Sequence, residues 1–298
     1  MDISSPSITI DFATFDGSGF QSGGGAGTLD SDAWKTLGLS EGNMSFGDTQ
    51  TTGDFARNSH VGGAATGGFY GWDVNGDGSV RAAGWQPTET DVTPGNLVLW
   101  LRNNTGHTIT SFGLSFDRWV NNDKGRSSTF NFGYQTTNPT ASNEVGTVID
   151  SFTTTQVADA LGFQKTSGLL GFSVSLADGE DIFLIWSTDD VGGSGSRDEF
   201  GLSNLTITAA APTLVELASF IAQPNETRVE LIWMTAMELV QDSINIHTTP
   251  KSDFSQKSDF LALFLGSPKF EKSDFSQKSD FLARMNRWYG NWSDPALG

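Results

Sequence analysis

The run WDVNGDGSV sets Asp73, Asn75 and Asp77 at alternate positions, with Gly78 where a cation-binding loop turns sharply. Calcium takes about six to eight oxygen ligands, and a D-x-N-x-D-G run brings three side-chain oxygens toward one point. A complete loop of the EF-hand type also needs a bidentate carboxylate at its twelfth position. Counted from Asp73, that position is Gly84, and helical patterns do not flank the run. The competing reading is a β-hairpin turn, for which Asn-Gly and Asp-Gly are strong signals. A second acidic stretch, TDDVGGSGSRDEFG, groups Asp189, Asp190, Asp198 and Glu199 around a glycine-rich loop. It too reads either as a solvated loop or as an oxygen-rich cation site. The candidate metal ligands are therefore Asp73, Asn75, Asp77, Asp189 and Asp190, and the cofactor they would suit is Ca2+.

Three tryptophans, Trp72, Trp85 and Trp119, stand beside turn residues. A flat indole stacks on the apolar face of a sugar ring, so these are the candidate carbohydrate-binding residues; the alternative is that they pack hairpins onto a core. Trp100 and Trp186 lie within apolar strand patterns and are expected inside. Catalytic groupings are weaker. GLSEG (38–42) matches G-x-S-x-G by letter but lacks the strand-turn-helix setting of a nucleophile elbow. His60, His107 and His247 are far apart in the chain, without metal-ligand spacing. Carboxylate pairs such as Glu89/Asp91 occur in any acidic chain. Glycine-rich GSGFQSGGGAGT (17–28) has no lysine for a phosphate loop.

Positioning these residues falls to short runs that alternate apolar and polar residues from about 8 to 208. Ile8, Ile10 and Phe12 share one face, as do Leu97, Leu99 and Leu101, with Val98 and Trp100 on the other side of that strand. The same alternation marks Phe112/Leu114/Phe116, Phe130/Phe132/Tyr134, Leu170/Phe172/Val174/Leu176, Ile182/Leu184/Trp186 and Leu205/Ile207. Period-two runs separated by Gly, Asn, Asp and Pro predict an antiparallel sandwich. Two stretches, 31–39 and 153–163, are expected to form short helices. The small-residue run ending at Pro212 marks a boundary. Beyond it, alternation returns at Val229/Leu231/Trp233 and Ile244/Ile246, and then KSDFSQKSDFLA occurs twice without change, at 251–262 and 272–283.

Composition narrows the function classes. The chain has 298 residues, no Cys, 35 acidic against 17 basic residues and a formal net charge of −18. No disulfide, thiolate metal site or cysteine nucleophile is available. A chain this acidic is repelled by phosphate backbones and anionic lipid, which argues against nucleic-acid binding through bulk charge. No apolar run of about 18 residues is present, which argues against membrane insertion, and the N-terminus has no signal-peptide pattern. Most of the net charge, −15, lies in residues 1–211, against −3 in 212–298.

The stretch GGFYGWDVNGDGSVRAAGWQPTETDVTPGNLVLWLRNNTGHTITSFGLSFDRWVNNDKGRSSTFNFGY, with DGEDIFLIWSTDDVGGSGSRDEFGLSNLTIT after it, resembles a β-sandwich module of large secreted or surface-anchored bacterial proteins. The likeness covers about 8–208 and rests on the G-W-Q-P turn, the L-R-N-N-T-G turn and the closing hairpin with its acidic loop. Where the family carries Ile-Asp in that loop, this chain has Gly201 and Leu202. The segment 213–249 resembles the first half of a fibronectin-type-III-like module, through V-E-L-x-S-F and L-x-W-x-T-A-x-E. The resemblances imply no catalytic residues.

The expectation is an all-β chain: an antiparallel, jelly-roll-like sandwich over 1–211, a partial immunoglobulin/fibronectin-type-III-like β-module over 212–250, and an irregular repeat-containing tail over 251–298. The expected function is a non-enzymatic extracellular or cell-surface module for adhesion and structural assembly. It would self-associate through its incomplete C-terminal module or contact other surface proteins. The alternatives are a calcium-dependent module that binds glycans and an accessory domain of an extracellular hydrolase or nuclease.

Overall fold

A computed structural model describes residues 1–210 and the backbone of 217–225, 228–235 and 242–247. The chain forms two compact units, residues 1–211 and 212–298. In the first unit the strands are β1 (Asp2–Ile3), β2 (Ser7–Ile10), β3 (Phe15–Gln21), β4 (Gly27–Asp30), β5 (Trp34–Leu37), β6 (Ser59–His60), β7 (Gly68–Asp73) and β8 (Arg81–Gln86). They continue as β9 (Gly95–Asn103), β10 (Ile109–Asn121), β11 (Arg126–Gln135), β12 (Thr147–Thr153), β13 (Gln164–Leu176), β14 (Asp181–Gly193) and β15 (Glu199–Ala210). The second unit contributes β16 (Leu217–Asn225), β17 (Arg228–Thr235) and β18 (Asp242–His247), an antiparallel sheet in that order. The duplicated KSDFSQKSDFLA segments lie outside the described residues.

Two large sheets face one another in the first unit. One runs β1-β9-β14-β11-β12, with β5 also pairing with β9; the other runs β13-β10-β15-β8-β7-β6, with β2 also pairing with β15. Their inner faces carry the apolar residues that alternation selects. Leu97, Leu99 and Leu101 of β9, Ile182, Leu184 and Trp186 of β14, and Phe130 and Phe132 of β11 come from one sheet. Phe112, Leu114 and Phe116 of β10 and Leu205 and Ile207 of β15 come from the other. Rings bind the layers together: Trp186 lies 5.3 Å from Phe132, 5.9 Å from Trp34 and 6.0 Å, edge-on, from Phe116. Such aromatic pairs contribute beyond the area they remove from water.

The strand β9 is covered on both faces, as its unbroken apolar run requires. Val98 packs outward with Leu37, Phe183 and Ile185, and Phe46 and Trp100 close the cluster. That outer cluster also shelters Lys35, 2% exposed, whose Nζ donates to Asn138 Oδ1 at 2.7 Å and to the Pro139 carbonyl, with the Phe46 ring centroid 4.7 Å away. The ammonium thus ties β5 to the loop after β11.

Both expected helices are absent. Residues 34–37 form β5, in which every residue is buried and Trp34 and Thr36 pair with Leu99 and Leu97. Pairing with a strand that needs an edge partner overrides local helix propensity there. After Thr153 the chain runs as an irregular loop with 155–162 exposed, anchored by buried Thr154 and Phe163. Val157 and Leu161 are exposed, and a short segment whose apolar face is left uncovered does not sustain a helix in water.

Burial lowers the Lys35 pKa to about 8, with the nearby Glu144 carboxylate opposing the shift. Between that value and the usual lysine range the unfolded chain binds more protons than the folded one, so stability contributed by this site rises with pH. In urea titrations, the stability of the wild type minus that of Lys35→Met is expected to increase between pH 8 and pH 9.5. A flat difference would show that the ammonium is solvated.

Candidate functional site

The outward face of the seven-stranded sheet holds a polar and aromatic row. Because Phe116 and Arg118 of β10 point into the sandwich, Asp117 and Trp119 point out. Across the strands, Trp119 lies between Lys165 of β13 and Gly201 of β15, and Asp117 between Ser167 and Ser203. A register shift on β15 accompanies Asn204, whose φ is +50°. This bulge directs the Asn204 side chain sideways, so its Nδ2 donates to Asp117 Oδ2 at 2.7 Å. Bulges recur beside binding sites because they re-aim one side chain without dismantling the sheet.

Asp117 is buried and fully engaged. Ser167 Oγ donates to its Oδ1 at 2.7 Å, and Lys165 Nζ stands 3.4 Å from Oδ2. Burial pushes its carboxyl up, yet the Ser167 hydroxyl, the Asn204 amide and Lys165 together hold it below the usual carboxylate range. It is therefore anionic at neutral pH. Trp119 is half-buried, its Nε1 donates to Ser203 Oγ at 2.9 Å, and Lys165 Nζ sits 5.9 Å from its ring. The indole is thus held in one orientation beside exposed hydroxyl, amide and ammonium groups.

Trp72 and Trp85 are placed differently from the sugar-binding expectation. Trp72 is 0% exposed: it stacks on Tyr70 at 4.5 Å, meets Phe163 at 5.3 Å, and its Nε1 donates to the Phe200 carbonyl at 2.9 Å. Its ring lies across Gly201, where a Cβ would come within 3.1 Å of it, while a Cβ at Gly84 would collide with the Phe200 carbonyl oxygen. These two glycines let the aromatic cluster settle against the sheet. Trp85, 1% exposed, points into the sandwich between Phe69 and Phe130. A ring with no open face cannot stack on a sugar, so of the three only Trp119 keeps that capacity.

The D-x-N-x-D-G run forms the hairpin between β7 and β8. Asp73 Oδ1 accepts the Gly76 and Gly78 amides and its Oδ2 accepts Gly78 again, each at 3.0 Å. Asp77 Oδ1 accepts the Ser79 amide at 2.9 Å, and Asn75 Nδ2 donates to Ser79 Oγ at 2.7 Å. Both Asp73 oxygens and one of Asp77 thus accept backbone amides of their own turn. At β14, Asp190 receives two bonds from Arg197, at 2.6 and 2.7 Å, and one from Arg126 at 3.1 Å. Two guanidiniums neutralise it. Exposed Asp189 turns its Oδ1 to the Asp190 amide at 2.8 Å. Among the described residues, no three His, Cys, Asp or Glu side chains are grouped to hold a metal ion.

Two acids in the same closing hairpin are more deeply buried. Glu199 accepts the Gly63 and Ala64 amides at 2.9 and 2.5 Å and Asn121 Nδ2 at 2.6 Å. Its pKa is raised, chiefly by burial, against those bonds. Asp198, likewise buried, is pushed up to about 6. Asp91 and the GLSEG serine also meet structural partners, while Glu89 is exposed. Ser40 donates its hydroxyl to Asp54 and its amide to Asp91, and Thr88 donates to Asp91 at 2.7 Å.

Missed by the sequence reading are Asp117, Lys165, Ser167, Ser203 and Asn204. FDRW carried a usable signal, since Asp117 and Trp119 fall on the face opposite Phe116. The bulge at Asn204 has no comparable mark.

No family model matches the chain, and no curated protein matches it. Among solved structures, a non-crystalline cellulose specific carbohydrate-binding module, CBM28, is 11% identical with a TM-score of 0.30, covering 46% of this chain and 78% of that one. The K3 cleaved adhesin domain of Lys-gingipain from Porphyromonas gingivalis w83 is 16% identical with a TM-score of 0.28, covering 44% and 75%. The CBM22-1–GH10 modules of Clostridium thermocellum xylanase 10B are 12% identical with a TM-score of 0.31, covering 65% of this chain and 28% of that one.

The hairpin account of the D-x-N-x-D-G run has a direct check. Asp73→Ala removes the acceptor of two backbone N–H groups, those of Gly76 and Gly78, and is expected to cost about 1–3 kcal/mol in urea unfolding, in chelator as well as in calcium. Dependence of that loss on calcium would reinstate the cation reading.

Proposed function

We propose that residues 1–211 act as a non-catalytic, extracellular glycan-binding module whose contact surface is the outer face around Trp119. The observation that carries this reading is the fixed, half-buried indole of Trp119 beside an ionised Asp117 and exposed Lys165, Ser167 and Asn204. Sugar recognition needs an apolar plate for the C–H face of the ring and convergent donors and acceptors for its hydroxyls. Asp117 is satisfied by its neighbours and holds them in place, so the polar groups left to face a ligand are the exposed Ser167 hydroxyl, the Asn204 amide and the Lys165 ammonium. Their mutual hydrogen bonds set the geometry before any ligand arrives, which lowers the ordering cost of binding. The absence of cysteine suits a chain that needs no particular redox environment, and no helix of the described residues is long and apolar enough to cross a membrane.

The test is an array of plant, bacterial and animal glycans, followed by calorimetry on the best ligand. Trp119→Ala is expected to weaken binding at least tenfold and Asp117→Asn by a smaller factor, while the melting temperature stays within a few degrees of the wild type. Array-wide silence, or binding indifferent to Trp119→Ala, would reject the module reading.

A second reading, self-assembly through the C-terminal unit, draws support from the three-stranded sheet β16-β17-β18. Among the described residues its outer strands pair on one side only, and such edges are templates for strand addition by a neighbouring copy. Sedimentation of the full chain is expected to show concentration-dependent oligomers that disappear when 212–298 are removed. A monomer throughout the micromolar range would reject it.

A further inference from the structure

The two large sheets of the first unit end in strands of unequal kind. β1 and β6 are two residues each, and β12 has seven residues with Asp150 among them. β13 has thirteen residues, QKTSGLLGFSVSL, with one lysine, no acid and no proline, and its pairing with β10 runs unbroken from Ser173/Ser111 to Gln164/Val120. Among the described residues it pairs on that side only. Apart from β10, the described partner of its backbone is Tyr134 Oη, which donates to the Ser173 carbonyl at 3.2 Å. Leu169 stands 86% exposed in mid-strand, Leu170 and Val174 are half-buried at the rim of the core, and Val157 and Leu161 are exposed in the loop that leads in.

A long, regular edge is a template for a further strand, and proteins that stay apart blunt such edges with charge, proline or bulges. β13 has Lys165 alone, near its start. A strand added there would engage its free N–H and C=O groups and cover Leu170 and Val174. Charge decides which strand can approach. Residues 1–211 carry a net −15 and residues 212–298 a net −3, so the product of net charges for two first units is about five times that for a first unit against a C-terminal unit. The C-terminal unit is the better tolerated neighbour. Of the two outer strands in its sheet, β16 contains Pro224, which lacks a ladder N–H, whereas β18, DSINIH, has no proline and brings Asp242 to a strand whose one charge is Lys165.

We propose that β13 of one copy of this chain accepts β18 of a second copy as its next strand. The proposal rests on the self-assembly reading above and names the surface that the C-terminal unit engages. Because the two edges belong to different units, the contact is heterologous, and its repetition builds an open chain of copies unless the rotation closes a ring. Strand addition uses the backbone edge of β13 and leaves the outward side chains around Trp119 free, so it does not depend on the glycan reading.

The chain has no cysteine, so single introduced thiols report contacts between copies without background. Full-length Leu169→Cys is mixed with full-length Ile244→Cys, and in parallel with Asn245→Cys so that both faces of β18 are sampled, and a short bismaleimide joins thiols that meet. The expected major product is the mixed dimer, identified by mass spectrometry, while Val148→Cys on β12 gives none with either β18 variant. In sedimentation the wild-type chain is expected to show a ladder of sizes, and Leu169→Glu to weaken assembly at least tenfold with a melting temperature within a few degrees of the wild type. Self-linked Leu169→Cys as the major product would overturn the proposal, since two β13 edges would then be meeting. Assembly that ignores Leu169→Glu and yields no mixed dimer would overturn it while leaving self-assembly through another surface. A chain that stays monomeric would overturn it together with the self-assembly reading.

Discussion

Everything on the surface of the first unit follows from which face of each strand the aromatic core claims. Side chains alternate along a strand, so burying Phe112, Leu114 and Phe116 of β10 against Phe132 and Trp186 fixes the opposite set facing outward. A slip of one residue would send Asp117 and Trp119 inside and expose the phenylalanines, at a cost far above any gain in pairing. Phe116, Phe132, Trp186 and Trp34 form a continuous ring path between the sheets, and their burial sets the register of β10, β11, β14 and β5 together. The outer-face chemistry is thus inherited from the core.

The same constraint explains where charge is tolerated inside. Arg118 alternates inward yet is buried, and it meets an ion pair with Asp150 and the faces of Phe116, Phe130 and Phe152. A guanidinium can be desolvated this way because its planar faces accept ring contacts while its edge takes the carboxylate. Lys35 reaches a comparable compromise on the outer cluster with an amide and a carbonyl oxygen, and burial lowers its pKa accordingly. Removing one partner of such a pair costs more than the pair contributes, since the remaining charge keeps its burial.

The strand faces were legible in the sequence because alternation is a direct imprint of a two-layer core, and Leu97/Leu99/Leu101 and Ile182/Leu184/Trp186 lie where that pattern puts them. The helix at 31–39 failed because β9 needed an edge partner, a demand made some sixty residues away in the chain. The helix at 153–163 failed because nothing waits to cover an apolar face. Trp72 and Trp85 misled for a different reason. Neighbouring turn residues suggest exposure, but a tryptophan one position from a turn can still lie flat over glycines of another strand, as Trp72 does over Gly201. The Asn204 bulge, which completes the Trp119 surface, depends on a register shift between β10 and β15 that one strand's sequence does not encode.

What separates a structural carboxylate from a binding one in this molecule is the inventory of donors around it. Asp73 and Asp77 accept backbone amides of their own turn. Asp190 is satisfied by two arginines, and Asp117 by a hydroxyl, an amide and an ammonium that also define a surface. Asp198 has the Thr154 hydroxyl and the Lys124 amide as donors and like charges for neighbours. The letters of the sequence are the same in each case. Because donors arrive from other loops, a motif's meaning is decided by what the fold brings to it, and an acidic chain can carry many aspartates of which few remain open to a ligand.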